Sequence, residues 1–296
     1  MIDRFNFYDI YGYLLPGATM LALLWLPFGI VSRKWPDAQI ADAIFILVFS
    51  YVVGHLLQTL ATTTLPSKVK DKSGNLRTPS DIVLDSDDSR LSPQLKSKLE
   101  TYARGEFGID LEIHSATPPS EQISAKRTDV FFLCRGVLIR QKIAGYTEQF
   151  EGLYAMMRGL SLAFFLGTAY LAGWGCSEHS PTLVGNFPLS TFIFSLGCIG
   201  VFGSGLLALR RGPFAPKRVS TDRWLWRFLS VALFGIGMGL AIGKDPSPNL
   251  TWAATLASAV AGARCYSSYR IFAMHFATAV WRDFAGFKCA PLVPSK

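Results

Sequence analysis

The sequence predicts a mainly α-helical, polytopic membrane protein with five or six membrane helices and one helical cytoplasmic insert. Three observations carry this. Half of the 296 residues are hydrophobic and only 17% are charged, where a soluble domain carries about 25% charged residues. The apolar residues gather into long stretches, interrupted once by a polar block at 66–157 that holds 13 basic and 13 acidic residues. From 158 to 296 there are 13 basic and 4 acidic residues, so the net charge of +8 lies beside apolar segments. Such an excess reads first as topology and contact with anionic lipid, and only second as a binding surface.

A spanning helix needs about 20 mainly apolar residues. The first stretch covers 10–31 and contains Pro16, Gly17 and Pro27; proline frees a backbone carbonyl and bends a spanning helix. Asp3, Arg4 and Asp9 deny it the positive leader of a signal peptide, so it is expected to be a retained anchor. The second covers 41–62 after a loop of about nine residues, and the two make an antiparallel hairpin, the domain 1–65. The third, fourth and fifth cover 158–174, 189–209 and 224–242. A sixth, 251–263, is short for a span. Either it extends with Tyr and Arg snorkelling at its end, or it is re-entrant or interfacial. Residues 158–263 thus form a C-terminal bundle, followed at 264–296 by an amphipathic helix and tail.

Arg210, Arg211, Lys217, Arg218 and Arg223 place the loop between the fourth and fifth stretches in the cytoplasm. Counting back, the N-terminus and 66–157 are cytoplasmic as well, with Arg33 and Lys34 in local dissent. In the fourth and fifth stretches Gly197, Gly200, Gly203 and Gly205, then Gly235, Gly239 and Gly243, put small residues on a helix face. Small residues let helix backbones approach closely. The plain reading is packing within one subunit; the sharper one is a subunit interface or a pore wall.

Within the insert, Ser92 followed by Pro93 reads as an N-cap with proline at the first helical position, and Gly105 or Gly108 can end that helix. Helical periodicity returns from Thr128, breaks at Gly145, and resumes straight into the third stretch, predicting a long helix that enters the bilayer. No strand is evident. A unit of about 90 residues is marginal alone, so the insert is expected to lean on the 210–223 loop, the C-terminal helix or a sister subunit.

Chemistry is thin. The four histidines form no HExxH, the five cysteines no CxxC, and no phosphate-binding loop is present. The cysteines read as reduced packing residues; neither metal nor cofactor is expected, and an enzyme ranks last. His55 and Gln58 are the intramembrane polar pair, three residues apart on one helical face. The bland reading is hydrogen bonding to neighbouring helices; a proton relay would want a carboxylate, and none is evident nearby in sequence. Basic residues gather where the cytoplasmic face is expected: Lys126, Arg127, Arg135, Arg140, Lys142, Arg210, Arg211 and Arg218, with aromatics between them. They suit lipid headgroups, and equally a phosphorylated ligand or single-stranded nucleic acid.

Residues 7–17 (FYDIYGYLLPG), ahead of a span, and 51–58 (YVVGHLLQ) in the next resemble bacterial membrane proteins of anti-phage defence. The arrangement is similar to that of the membrane effector of the Hailong system. The resemblance implies an inner-membrane homo-oligomer, with a tetramer as the best guess, whose opening depolarises the membrane. Its gating ligand would be a nucleotide or short single-stranded DNA oligomer bound on the cytoplasmic side. A secondary transporter, with His55 and Gln58 near the substrate path, and a membrane scaffold using the acidic 85–88 loop are the alternatives. No inverted repeat across the insert favours transport.

Overall fold

The computed structural model describes residues 8–32, 40–71, 74–113, 120–143, 145–179, 231–232, 236 and 248–289. The fourth and fifth apolar stretches lie outside these apart from 231–232 and 236, and so do Gly197, Gly200, Gly203, Gly235, Gly239, Gly243, Arg210, Arg211 and Arg218.

The described chain is mainly helical. A π-helix at Asp9–Leu14 leads into α1 (Leu15–Ser32) and then α2 (Ile40–Thr64). A short antiparallel pair, β1 (Val69–Lys70) and β2 (Leu76–Arg77), precedes α3 (Pro79–Ile82), α4 (Pro93–Phe107) and α5 (Glu121–Arg140). The long helices α6 (Gly145–His179) and α7 (Pro248–Cys289) follow. Three segments among the described residues are long and apolar enough to cross a membrane: Asp9–Gly29, Asp42–Thr64 and Gly145–Trp174.

The chain divides into two compact units. The first is Met1–Pro66 with Ala155–Tyr269, and the second is Ser67–Tyr154 with Arg270–Lys296. Helices α6 and α7 supply residues to both. The stretch at 251–263 and the tail helix, separate in the sequence reading, are one continuous helix of 42 residues.

In the first unit, Met20, Leu57, Ala61, Leu162 and Leu166 form one apolar core, and Tyr170, Leu171 and Trp174 another. Backbones approach closely because glycine stands at the crossings. A Cβ on Gly17 would lie 1.7 Å from Ser50 O, and one on Gly54 1.9 Å from Tyr13 O. The far half of α2 keeps its side chains outward, with Ile44, Phe45, Leu47 and Val48 exposed. Outward apolar side chains are what a lipid-facing helix presents.

The second unit has its own core. Leu84, Leu91, Leu99 and Leu111 meet Phe131, Cys134 and Leu138 of α5 and Val280, Trp281 and Phe284 of α7. The C-terminal helix is thus part of what completes this unit, and Trp281 Nε1 donates to Ser80 O at 3.1 Å. Its local signals follow helix-capping chemistry. Ser92 Oγ accepts from Leu95 N at 3.3 Å, and α4 stops at Gly108, which is left-handed at φ 66°. Two points differ from the sequence reading. Helix α5 begins at Glu121, capped by Ser120 accepting from Ile123 N, because its first two turns are polar and hide the period. Strands do exist, but each is two residues long around a turn at Gly74 (φ 85°), too short to show alternation.

The end of α5 carries a measurable strain. Lys142 N donates to Ile139 O and Ile143 N to Leu138 O, the paired bonds that close a helix through a left-handed residue. That residue is Lys142 at φ 55°. A left-handed non-glycine costs about 1–2 kcal/mol. Lys142→Gly is therefore expected to stabilise the second unit by about 1 kcal/mol, read as a rise in its melting temperature; a fall would show that the lysine side chain outweighs the strain.

Candidate functional site

Two polar constellations stand out, one in each unit. In the first unit a single side chain ties three elements. Gln58, 4% exposed, donates through Nε2 to Gly12 O of the π-helix at 2.6 Å and to Ala155 O of α6 at 2.5 Å. Its Oε1 accepts from Arg158 Nε at 3.1 Å and Nη2 at 2.9 Å. Every polar atom of the amide is used, as burial requires. Gln58→Leu would leave two carbonyls and part of a guanidinium without these bonds, at about 1–3 kcal/mol for each group stranded. We expect a lower melting temperature in detergent; an unchanged one would mean that water replaces the amide.

One turn back on α2, the exposed His55 ring stacks on Tyr13 at 3.6 Å between centroids and meets Tyr51 edge-on at 4.6 Å. Tyr51 Oη donates to Asp9 Oδ1 at 3.4 Å. A carboxylate thus lies one hydrogen bond beyond Tyr51, whose ring touches His55. It comes from 42 residues before Tyr51, and it reaches α2 because the π-helix packs against the glycine at 54. π-helical turns are frequent at functional sites. Asp9, Tyr13, Tyr51 and Arg158 are the residues that sequence reasoning missed here.

The second constellation is a buried charge cluster. Asp81, fully buried, accepts from Arg77 Nη2 at 2.7 Å, Arg127 Nη1 at 3.0 Å and Ser124 Oγ at 2.6 Å. Asp85 binds the same two arginines at 2.6 and 3.2 Å. Burial alone would raise the Asp81 carboxyl, but the bonds from Arg77, Ser124 and Arg127 hold it below the ordinary value. Burial pulls the Lys96 ammonium down against the attraction of Asp88 and Asp85; its Nζ donates to the carbonyls of both those residues.

This cluster redraws the expected anion site. Arg127 is not a surface residue. Two further donors go to Leu111 O at 2.9 Å and Glu112 O at 3.0 Å, and the side chain is buried, so it presents no surface to a ligand. Arg135 is engaged by Glu151 of α6 at 2.6 Å. Lys126 is exposed and sits 3.9 Å from Glu112. Arg140 and Lys142 are exposed with no ion pair among the described residues. The acidic 85–88 loop, which a scaffold would use for docking, spends Asp85 and Asp88 on Arg77, Arg127 and Arg90. Among the described residues no group of three or more side chains could hold a metal ion.

The class defined by these features is a helical protein with three helices long and apolar enough to cross a membrane and a separately cored polar unit. No protein-family model, curated protein or solved structure matches the chain.

Proposed function

We propose that the chain is a ligand-gated, pore-forming membrane effector of bacterial anti-phage defence, at the inner membrane. It would work as a homo-oligomer that opens when a nucleotide or short DNA oligomer binds the second unit on the cytoplasmic side. The supporting observation is α6. It is one uninterrupted helix of 35 residues, about 52 Å long against a hydrocarbon core of about 30 Å. Glu151 on it holds Arg135 of α5, and Arg158, two turns further on, holds Gln58 of α2. A helix gripped at both places can carry a displacement along its length. An anionic ligand has a defined entry into this device, because phosphate competes with Glu151 for the half-exposed Arg135 while Arg140 and Lys142 stand free to receive it. Gating requires unequal binding to the two states; moving a population from 1:99 to 99:1 takes a preference of about 10⁴.

The experiment is leakage from dye-loaded liposomes containing the purified protein, with and without nucleotides and short DNA oligomers. Leakage that switches with one of them supports the reading, and Arg140→Glu with Lys142→Glu should remove the response. A tight membrane that ignores all of them overturns it. Charge reversal at Arg135 is a poorer probe, since it also breaks the bond to Glu151.

The group of Asp9, Tyr51 and His55 favours a second reading, a proton-coupled transporter. Flux that saturates with one small solute and depends on a pH gradient would select it.

A further inference from the structure

We infer that the outer face of α5 is a self-association surface, on which a second copy of this chain packs antiparallel so that Asp129 of each copy meets Arg140 of the other. The inference deepens the proposed assembly and rests on it only for the expectation that the chain forms oligomers.

Helix α5 has two faces. Arg127, Val130, Phe131, Cys134 and Leu138 are buried in the core of the second unit. On the other side Phe132 is 59% exposed, Leu133 45% and Ile139 42%. Together with Gly136 they run along the helix at the spacing of a packing seam. An exposed apolar stripe on a unit with its own core marks a place where something else docks.

Gly136 sharpens this. Glycine inside a helix costs about 1 kcal/mol relative to alanine, so it usually stands where a neighbour comes close. Gly17, Gly54, Gly159, Gly167, Gly173 and Gly262 all do, with an atom 3.0 Å or less from where a Cβ would sit. Over Gly136 there is nothing within 4 Å. Gly105, Gly145 and Gly286 are equally open, but they lie in the first or last turn of their helices. Gly136 is therefore a mid-helix glycine with no close neighbour among the described residues.

The charges name the neighbour. Asp129 and Arg140 bound the stripe, both are exposed, and neither has an ion pair or hydrogen bond among the described residues. The acid lies toward the N-terminal end and the base at the C-terminal end. A two-fold rotation about a point between residues 134 and 135 sets Asp129 against Arg140 twice and Leu133 over Gly136 twice. Self-complementarity of this kind is the mark of an isologous contact. A parallel arrangement would set like charge against like. An anionic bilayer would attract Arg140 but repel Asp129 in the same stripe.

The test is chemical crosslinking of the full-length protein in detergent with a short bismaleimide. The Leu133→Cys variant is made in a Cys289→Ser background, and that background alone is the blank. We expect a covalent dimer above the blank. Asp129→Lys or Arg140→Asp should each lower its yield about tenfold, because like charges then face each other, and the double swap should regain it. Both positions are exposed, so the variants leave the core untouched. A dimer that ignores the single swaps, or a double swap that does not recover, overturns the pairing. No dimer above the blank overturns the contact outright. If Arg140→Asp instead releases the protein's second unit from vesicles containing phosphatidylglycerol while crosslinking stays at the blank, the face belongs to lipid. The readout is covalent dimer rather than leakage, so failure of this contact and failure of the pore are separately visible.

Discussion

Gly54→Ala is expected to unseat α2 from the N-terminal helices at a large loss of stability. The added carbon would lie 1.9 Å from Tyr13 O, 2.5 Å from its carbonyl carbon and 2.8 Å from its Cα. All three obstacles are backbone, so no rotamer change relieves them. Overpacking a core typically costs about 1–3 kcal/mol when side chains can move aside; here a helix must move by more than an ångström, which puts the cost at or beyond the top of that range. The bond from Gln58 to Gly12 O and the stacking of His55 on Tyr13 depend on the same crossing and should fail with it. The measurement is the temperature at which the detergent-solubilised protein loses monodispersity, with Gly105→Ala as control. That site is helical with nothing within 4 Å, so alanine there should be neutral or gain up to about 1 kcal/mol. Equal behaviour of the two variants would refute the close crossing.

This crossing also shows what the sequence could and could not reveal. Signals spread over a few residues were legible: Ser92 with Pro93 opening α4, its end at one of two glycines (Gly108 in the structure), and the run of α6 into the third apolar stretch. Signals that need two distant segments were not. Gln58 read as one of a polar pair with His55, expected to bond to neighbouring helices, but its partners could not be named because they are 46 and 97 residues away. Asp9 looked like a terminal charge because only the π-helix brings it to Tyr51. Arg127 is the instructive case, since its fate was partly readable. It precedes Val130, Phe131, Cys134 and Leu138 by three, four, seven and eleven positions, which places it on the buried stripe of α5. A count of basic residues along a helix overlooks this, whereas the helical period assigns Arg127 to the core and Arg140 to the surface.

The same arginine sets the other large effect. Asp81→Asn leaves Arg77 and Arg127 sharing Asp85 inside the second unit, with Asp71 at 3.5 Å as the other carboxylate on Arg77. Removing one partner of a buried ion pair costs about 3–5 kcal/mol, because the remaining charge stays desolvated. For a unit of this size that is a fall in melting temperature on the order of 15 °C. Peptide-resolved hydrogen exchange should localise it to α3, α4 and α5 and spare α1 and α2. The pH dependence follows from the direction of the shift. The folded Asp81 carboxyl titrates below its ordinary value, so its contribution is complete above the unfolded carboxylate value and is lost as pH falls through the folded one. The second unit should therefore loosen in acid below the ordinary carboxylate range, and Asp81→Asn should be weaker at neutral pH yet less sensitive to acid. Parallel acid profiles for the two proteins would show that Asp81 is not the titrating group. The outcome also governs how variants of α5 are read: Arg127→Ala opens the core that α5 and α7 share, whereas Arg140 and Lys142 are exposed and can be changed without touching it.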